Sequence, residues 1–128
     1  MKKIIGVIVA LFLVYGMPSS GHASPVTTGG EALFRSNCSV CHSMQPPPKT
    51  APPVLGIASH YRKAFSGRDE AVAHMVKFMQ QPKEDASILG SQAVARFGLM
   101  PAMSMATEEL RRVAGWMWDQ YDPAFTCK

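Results

Sequence analysis

The chemistry-bearing residues of this chain cluster in one short stretch. Cys38-Ser39-Val40-Cys41-His42 sets two thiols three positions apart and an imidazole directly behind them. That is the pattern for covalent haem attachment, in which each thiol adds across one haem vinyl group and the histidine reaches the iron. In a helical turn the spacing puts Cys38 and Cys41 on one side of the backbone, under neighbouring vinyls, and carries His42 round towards the metal. Two other chemistries use such cysteines. A redox dithiol has no need of the histidine. Half of a zinc site wants a second pair of ligands, which the lone Cys127 does not supply. The motif therefore points to one covalently bound haem c.

A second axial ligand must come from elsewhere in the chain. Phe97 to Met105 carries three methionines, Met100, Met103 and Met105, each with a thioether soft enough to bind haem iron, and only one can do so. The others are then the adaptable core filler that most methionines are. His60 and His74 are the nitrogen alternatives and would make a two-histidine site. Both fall in amphipathic helical stretches, where a histidine is more often surface or packed polar filling than a ligand.

Around these residues the sequence resembles a known family. Gly30-Glu31-Ala32-Leu33-Phe34-Arg35-Ser36-Asn37-Cys38, with glycine eight and phenylalanine four residues ahead of the first cysteine, is similar to the amino-terminal helix of the small single-haem class I cytochromes c. Met100-Pro101-Ala102 is similar to that family's axial-methionine segment, and Leu110, Val113, Ala114, Trp116 and Met117 to its carboxy-terminal helix. The middle of the chain matches only by helix order and by Pro53-Val54-Leu55. The resemblance implies an all-α protein with the small cytochrome c fold, about four to five helices wrapped around one covalently attached haem. His42 and Met100 would be the axial ligands, with Met103 the alternative to Met100. A proline carbonyl would hold the other nitrogen of His42, Pro53 being the better match and Pro52 the alternative, and Leu55 would press on the ring. Gly30 and Phe34 would cross Val113 and Trp116, the glycine removing the side chain that would keep two helices apart.

The elements that must position these groups are legible in outline. A first helix is predicted from about Gly30 to Asn37, running into the haem motif, with Leu33 and Phe34 as its apolar contacts. Gln45 to Pro53 holds five prolines in nine residues, which excludes helix and makes an extended, stiff wall. A short helix is predicted over Ile57 to Phe65. A longer one covers Asp69 to Gln81, with acids at its start and Pro82 as its stop. Ile88 to Phe97 reads as another short helix ended by Gly98. Glu108 to Tyr121 is the last, with Leu110, Val113, Ala114 and Met117 as its inner stripe and Thr107 as its cap. Trp116 and Trp118 cannot both face inward, and Trp116 is the better match for burial.

The chain begins Lys2-Lys3, continues with twelve apolar residues from Ile4 to Tyr15, and reaches small residues at Gly21 and Ala23. This is the pattern of a secretory signal, residues 1–23, cleaved after Ala23 and containing His22. A span needs roughly 20 apolar residues, and Gly16 and Pro18 interrupt this stretch sooner. An uncleaved membrane anchor is the lesser alternative. Residues 24–128 then form one domain, too short for two cores. Without Lys2 and Lys3 the net charge of +4 becomes 11 bases against 9 acids, which two haem propionates would bring to about zero. Nucleic acid and stable membrane insertion after cleavage are not expected partners. Cys127 is left over in an oxidising compartment, either unpaired or joined to a second copy by a disulfide.

Histidine and methionine on the two faces of an iron leave no position for a substrate, and the potential lies towards the positive end of the roughly 0.8 V that axial ligands span. The expected function is an exported, periplasmic electron carrier between redox partners. The alternatives are a gas-binding or sensing haem protein whose methionine is displaced, and an electron-relay subunit of a larger redox enzyme. Enzymatic activity is not expected, because no cluster of His, Asp or Glu outside the haem motif suggests a catalytic site.

Overall fold

A computed structural model describes residues 29–126; the expected leader and Cys127 lie outside the described residues. The described chain is all-α. It runs α1 (Gly30–Asn37), α2 (Val54–Ala64), α3 (Arg68–Gln80), a 3-10 turn (Glu84–Ala86), α4 (Ser91–Phe97) and α5 (Thr107–Asp119). No strand forms among the described residues, only an isolated bridge between His42 and Ala51. No described helix is long and apolar enough to cross a membrane.

Helix α5 is the hub, packing against α1, α2 and α3. Leu110, Val113, Ala114, Met117 and Trp118 are all buried and recur at the three- and four-residue spacing that puts them on one stripe. They meet Leu33 and Phe34 of α1, Val54, Ile57 and Tyr61 of α2, and Ala71, Val72, Met75, Val76 and Met79 of α3. The two tryptophans reverse the expected order. Trp118 is buried, with 4% of its surface exposed, and the Arg62 guanidinium lies 4.1 Å above its ring. Trp116 is half-buried because its position on the helix faces α1, where its ring packs 4.9 Å from that of Phe34.

The crossing of α1 and α5 is as close as the glycine suggested. A β-carbon on Gly30 would stand 2.6 Å from the Trp116 β-carbon and against the Arg112 carbonyl, so no larger residue fits without separating the helices.

Helix α3 starts one residue earlier than expected, at Arg68, and the starts of α2, α4 and α5 also differ from expectation, each of these three for a local reason. Helix α2 begins at Val54 rather than Ile57, since Pro53, unable to continue a helix backwards, serves as its extended cap and accepts the first helical bond from Ile57 N–H at 3.1 Å. Helix α4 begins at Ser91 rather than Ile88 because Gly90, at φ +81°, breaks the path, as Gly98 at φ +75° does at the other end. Helix α5 is capped at Ala106, whose N–H donates to Glu109 Oε2 at 3.1 Å. Thr107 is not the cap; its hydroxyl accepts from Gln80 Nε2 at 3.0 Å and ties α5 to α3.

Candidate functional site

Helix α1 delivers the cysteine motif. Its last turn continues through Cys38, whose N–H donates to Phe34 O at 2.8 Å, and the chain then turns tightly, with Cys41 and His42 N–H groups both donating to Cys38 O. The proline-rich segment is strapped against this turn. Ala51 N–H donates to Cys41 O at 3.1 Å, Val54 N–H to Ser43 O at 2.9 Å and Leu55 N–H to Met44 O at 3.1 Å. Lys49 Nζ reaches Ser39 O at 2.5 Å. A stretch poor in amide donors is thus held by the few donors it keeps.

The strap orients His42. Its Nδ1 lies 2.7 Å from Pro52 O. A carbonyl can only accept, so Nδ1 carries the hydrogen and the lone pair is left on Nε2. Burial holds this imidazole below its ordinary pKa, only partly offset by the Pro52 carbonyl, which favours the neutral form that a metal needs. The carbonyl belongs to Pro52 and not to Pro53, the better sequence match, because the Pro53 carbonyl is turned along α2 as that helix's first acceptor.

Cys38, Cys41 and His42 share the wall of one cavity of about 460 Å³, cofactor-sized by the roughly 300–1,000 Å³ of such pockets. Met100 and Met103, the expected ligand and its alternative, are both on that wall; Met105 is not, and packs on the core as filler. The remainder is mostly apolar, from Ile57 of α2, Met75, Phe78 and Met79 of α3, Val94 and Phe97 of α4 and Met117 of α5, with Asn37, Thr50 and Ser87 as polar exceptions. Leu55, expected to press on a ring, is off the cavity. It occupies the first turn of α2 outside the stripe Val54, Ile57, Ala58 and Tyr61, so Ile57 takes its place. His60 and His74 are also off this wall, and neither is brought towards His42. His74 instead meets the Tyr61 hydroxyl, 3.0 Å from its Nδ1. Tyr61, which sequence reasoning passed over, lines the cavity; the four-residue step from Ile57 is the signal that would have found it.

The donors can be tested against each chemistry the motif permits. A dithiol nucleophile needs a thiol of depressed pKa, as at a helix N-terminus. Cys38 caps the C-terminal end of α1, and burial, with Cys41 adding, pushes its thiol up instead. A closed zinc site needs about four ligands, and no group of three or more His, Cys, Asp or Glu that could hold an ion occurs among the described residues. A haem would ask for two thiols at the rim, an imidazole with Nε2 free, a thioether within the same space and apolar walls. The cavity offers all four. Compared with protein-family models, curated proteins and solved structures, the chain finds no match.

Proposed function

We propose that this chain is an exported, periplasmic single-haem c-type cytochrome of the class I kind, carrying electrons between redox partners. The observation that carries the reading is the convergence of Cys38, Cys41, an oriented His42 and two methionines on a single apolar cavity. In this reading each thiol adds its sulfur to one carbon of a vinyl group and its hydrogen to the other, with no leaving group and no net oxidation. The bound haem supplies a one-electron couple at its iron.

The chain's own residues do the rest. His42 presents Nε2 to the metal, and the Pro52 carbonyl stops the ring from turning. Met100, with Met103 as the alternative, offers a thioether that favours ferrous iron over what a second histidine would give. With His42 and Met100 both holding the group, no place would be left for a substrate and no ligand would have to leave, so the walls would move little on electron exchange. Val40 and Leu99 belong to the cavity wall and yet are 78% and 43% exposed, which makes an apolar lip at its mouth. A partner docking there would bury less than roughly 1,200 Å², small enough for release between turnovers.

Covalent attachment is the direct test. Protein co-expressed with a haem-attachment system is expected to keep its haem after denaturation and extraction into acidified organic solvent. The Cys38→Ala, Cys41→Ala double variant is expected to lose it. Extractable haem in the unmutated protein, or none at all, would overturn the reading.

A further inference from the structure

Tyr61 is a wall residue of the large cavity whose polar group reaches a residue of a second cavity. Its ring is buried, and its hydroxyl reaches 3.0 Å to His74 Nδ1 on α3. His74 forms part of the wall of a second cavity, of about 250 Å³, together with Lys77, Gln81, Lys83 and Asp85. Phe65 closes the pair from the side, its ring 5.3 Å from that of His74 and 5.7 Å from that of Tyr61, while Phe78 lies in the walls of both cavities. A single hydrogen bond therefore joins a titratable group at a polar, water-accessible cavity to the apolar space around the proposed cofactor.

We infer that His74, through Tyr61, is a protonation site coupled to the oxidation state of the iron, an inference that rests on the haem reading above. Tyr61 stays a phenol throughout the physiological range, since burial pushes it far above its usual pKa. Against the neutral His74 tautomer that carries its hydrogen on Nε2, the Tyr61 hydroxyl donates to Nδ1. A proton arriving on Nδ1 makes that nitrogen a donor, so the hydroxyl must accept and its own hydrogen turns away. Protonation thus places a full charge behind the cavity wall and reverses a dipole on it.

The groups facing His74 determine where it titrates. Tyr61 faces it from α2, Lys77 from its own helix, and Lys83 and Asp85 from the turn across the second cavity. Burial first, then Lys77, holds it below the ordinary imidazole value, which keeps it mostly neutral near neutral pH and ready to gain a proton when the positive charge nearby is reduced. Ferric iron carries one more positive charge than ferrous. When an electron leaves for the redox partner, His74 therefore holds its proton less tightly and releases it to solvent through the second cavity. When the electron returns, His74 takes a proton back.

The test uses the full, haem-bearing chain, with the His74 ring proton followed by NMR across pH in both oxidation states and the midpoint potential measured across the same range. The His74 titration is expected at least 0.3 pH units higher in the reduced protein. That is a twofold ratio, which linkage converts to a fall in potential with rising pH of about 18 mV at about 59 mV per decade. His74→Gln is expected to remove this fall. Tyr61→Phe, which keeps the imidazole and deletes the bond, is expected to narrow the gap. Lys77→Gln is expected to raise the His74 titration in both states and leave the gap unchanged. A gap under 0.1 unit, or a fall in potential that survives intact in His74→Gln and so belongs to another group such as a propionate, overturns the inference. Protein isolated without covalent haem overturns both readings, whereas haem-bearing protein whose His74 titrates alike in both states overturns this one alone.

Discussion

Gly30→Ala adds one methyl group at the crossing of α1 and α5, and its cost can be worked from the obstacles it meets. The new carbon would sit 2.6 Å from the Trp116 β-carbon and against the Arg112 carbonyl. Carbon atoms settle at roughly 3.5–4.0 Å, so the helices must part by about 1 Å. Neither obstacle can rotate away, because one is backbone and the other is attached to it. Overpacking of this kind costs about 1–3 kcal/mol. The helix-propensity gain of alanine over glycine offsets up to about 1 kcal/mol in a helix interior, and less at the first helical residue. A net loss of about 1–2 kcal/mol lowers the unfolding midpoint by roughly 5–15 °C in a domain of this size. Gly115→Ala is the matched control. There the added carbon would also stand 2.6 Å from an atom, but that atom is Arg68 Nη2, the far end of a flexible and exposed side chain. Arg68 can swing aside at the expense of its ion pair with Asp119, worth about 0–1 kcal/mol at an exposed site. Gly115→Ala should therefore fall within about 1 kcal/mol of the unmutated protein. Thermal unfolding of the unmutated protein and the two variants, all prepared in the same way, makes the comparison. Equal midpoints for the two variants would refute the claim that the helix crossing, rather than mere proximity, sets the cost.

In the cytochrome reading, Met100→Ala is expected to lower the potential and admit carbon monoxide to the reduced protein, while Met103→Ala does neither; the strongly shifted methyl signal of an iron-bound methionine in the reduced NMR spectrum would identify the ligand. Rapid, tight carbon monoxide binding by the unmutated protein would reject the carrier in favour of a sensor. His60 and His74 are both held below their ordinary value by burial, reinforced by Lys63 and Lys77 respectively, so the unfolded chain binds protons more readily than the folded one. Their contribution to stability is present above the unfolded value of about 6.5 and is lost as pH falls below it. The denaturant midpoint should drop between pH 7.5 and pH 5, and the His60→Gln, His74→Gln double variant should drop less.

The helices were legible because their signals are local. Gly30 to Asn37 and the long α3 follow from apolar spacing, acids at a helix start and a terminating proline. Of the site, Cys38, Cys41, His42, Met100 and Met103 were named from the sequence, and all five line one cavity. What escaped depends on direction in space rather than on order along the chain. Pro52 and Pro53 are chemically identical neighbours, and only the onset of α2 determines which carbonyl is free to turn towards His42. That same onset, three residues earlier than expected, moved Leu55 off the cavity and brought Ile57 and Tyr61 onto it. Trp116 and Trp118 are two positions apart on one helix and were ranked by a family pattern. The packing distinguishes them: Trp118 joins the stripe beneath α2 and α3, and Trp116 covers the crossing with α1.

The two halves of the cavity wall are not equally supported by protein. Helices α1, α2, α3 and α5 share a continuous buried core, so Cys38, Ile57, Tyr61, Met75 and Met79 stand on a frame that packs on itself. Helix α4 contributes no buried residue, and the segment that follows leaves Leu99 and Pro101 exposed while Met100 and Met103 are only half-buried. A segment with so few buried contacts opens locally at low cost unless something holds it. One holding point is the Met103 N–H, which donates to Met79 O at 2.8 Å and fastens the segment to α3. The apolar side chains of Val94, Phe97 and Met100 turn into the cavity, so the rest of the support must come from what fills it. In the cytochrome reading this division is functional. The rigid half would anchor the cofactor and orient its histidine, while the soft half would be held over it by a Met100 thioether. Because Met103 is tied by its backbone to the rigid half, in this reading release of Met100 from the metal would be coupled to movement of the short stretch before that tie, and ligand loss would be a conformational event.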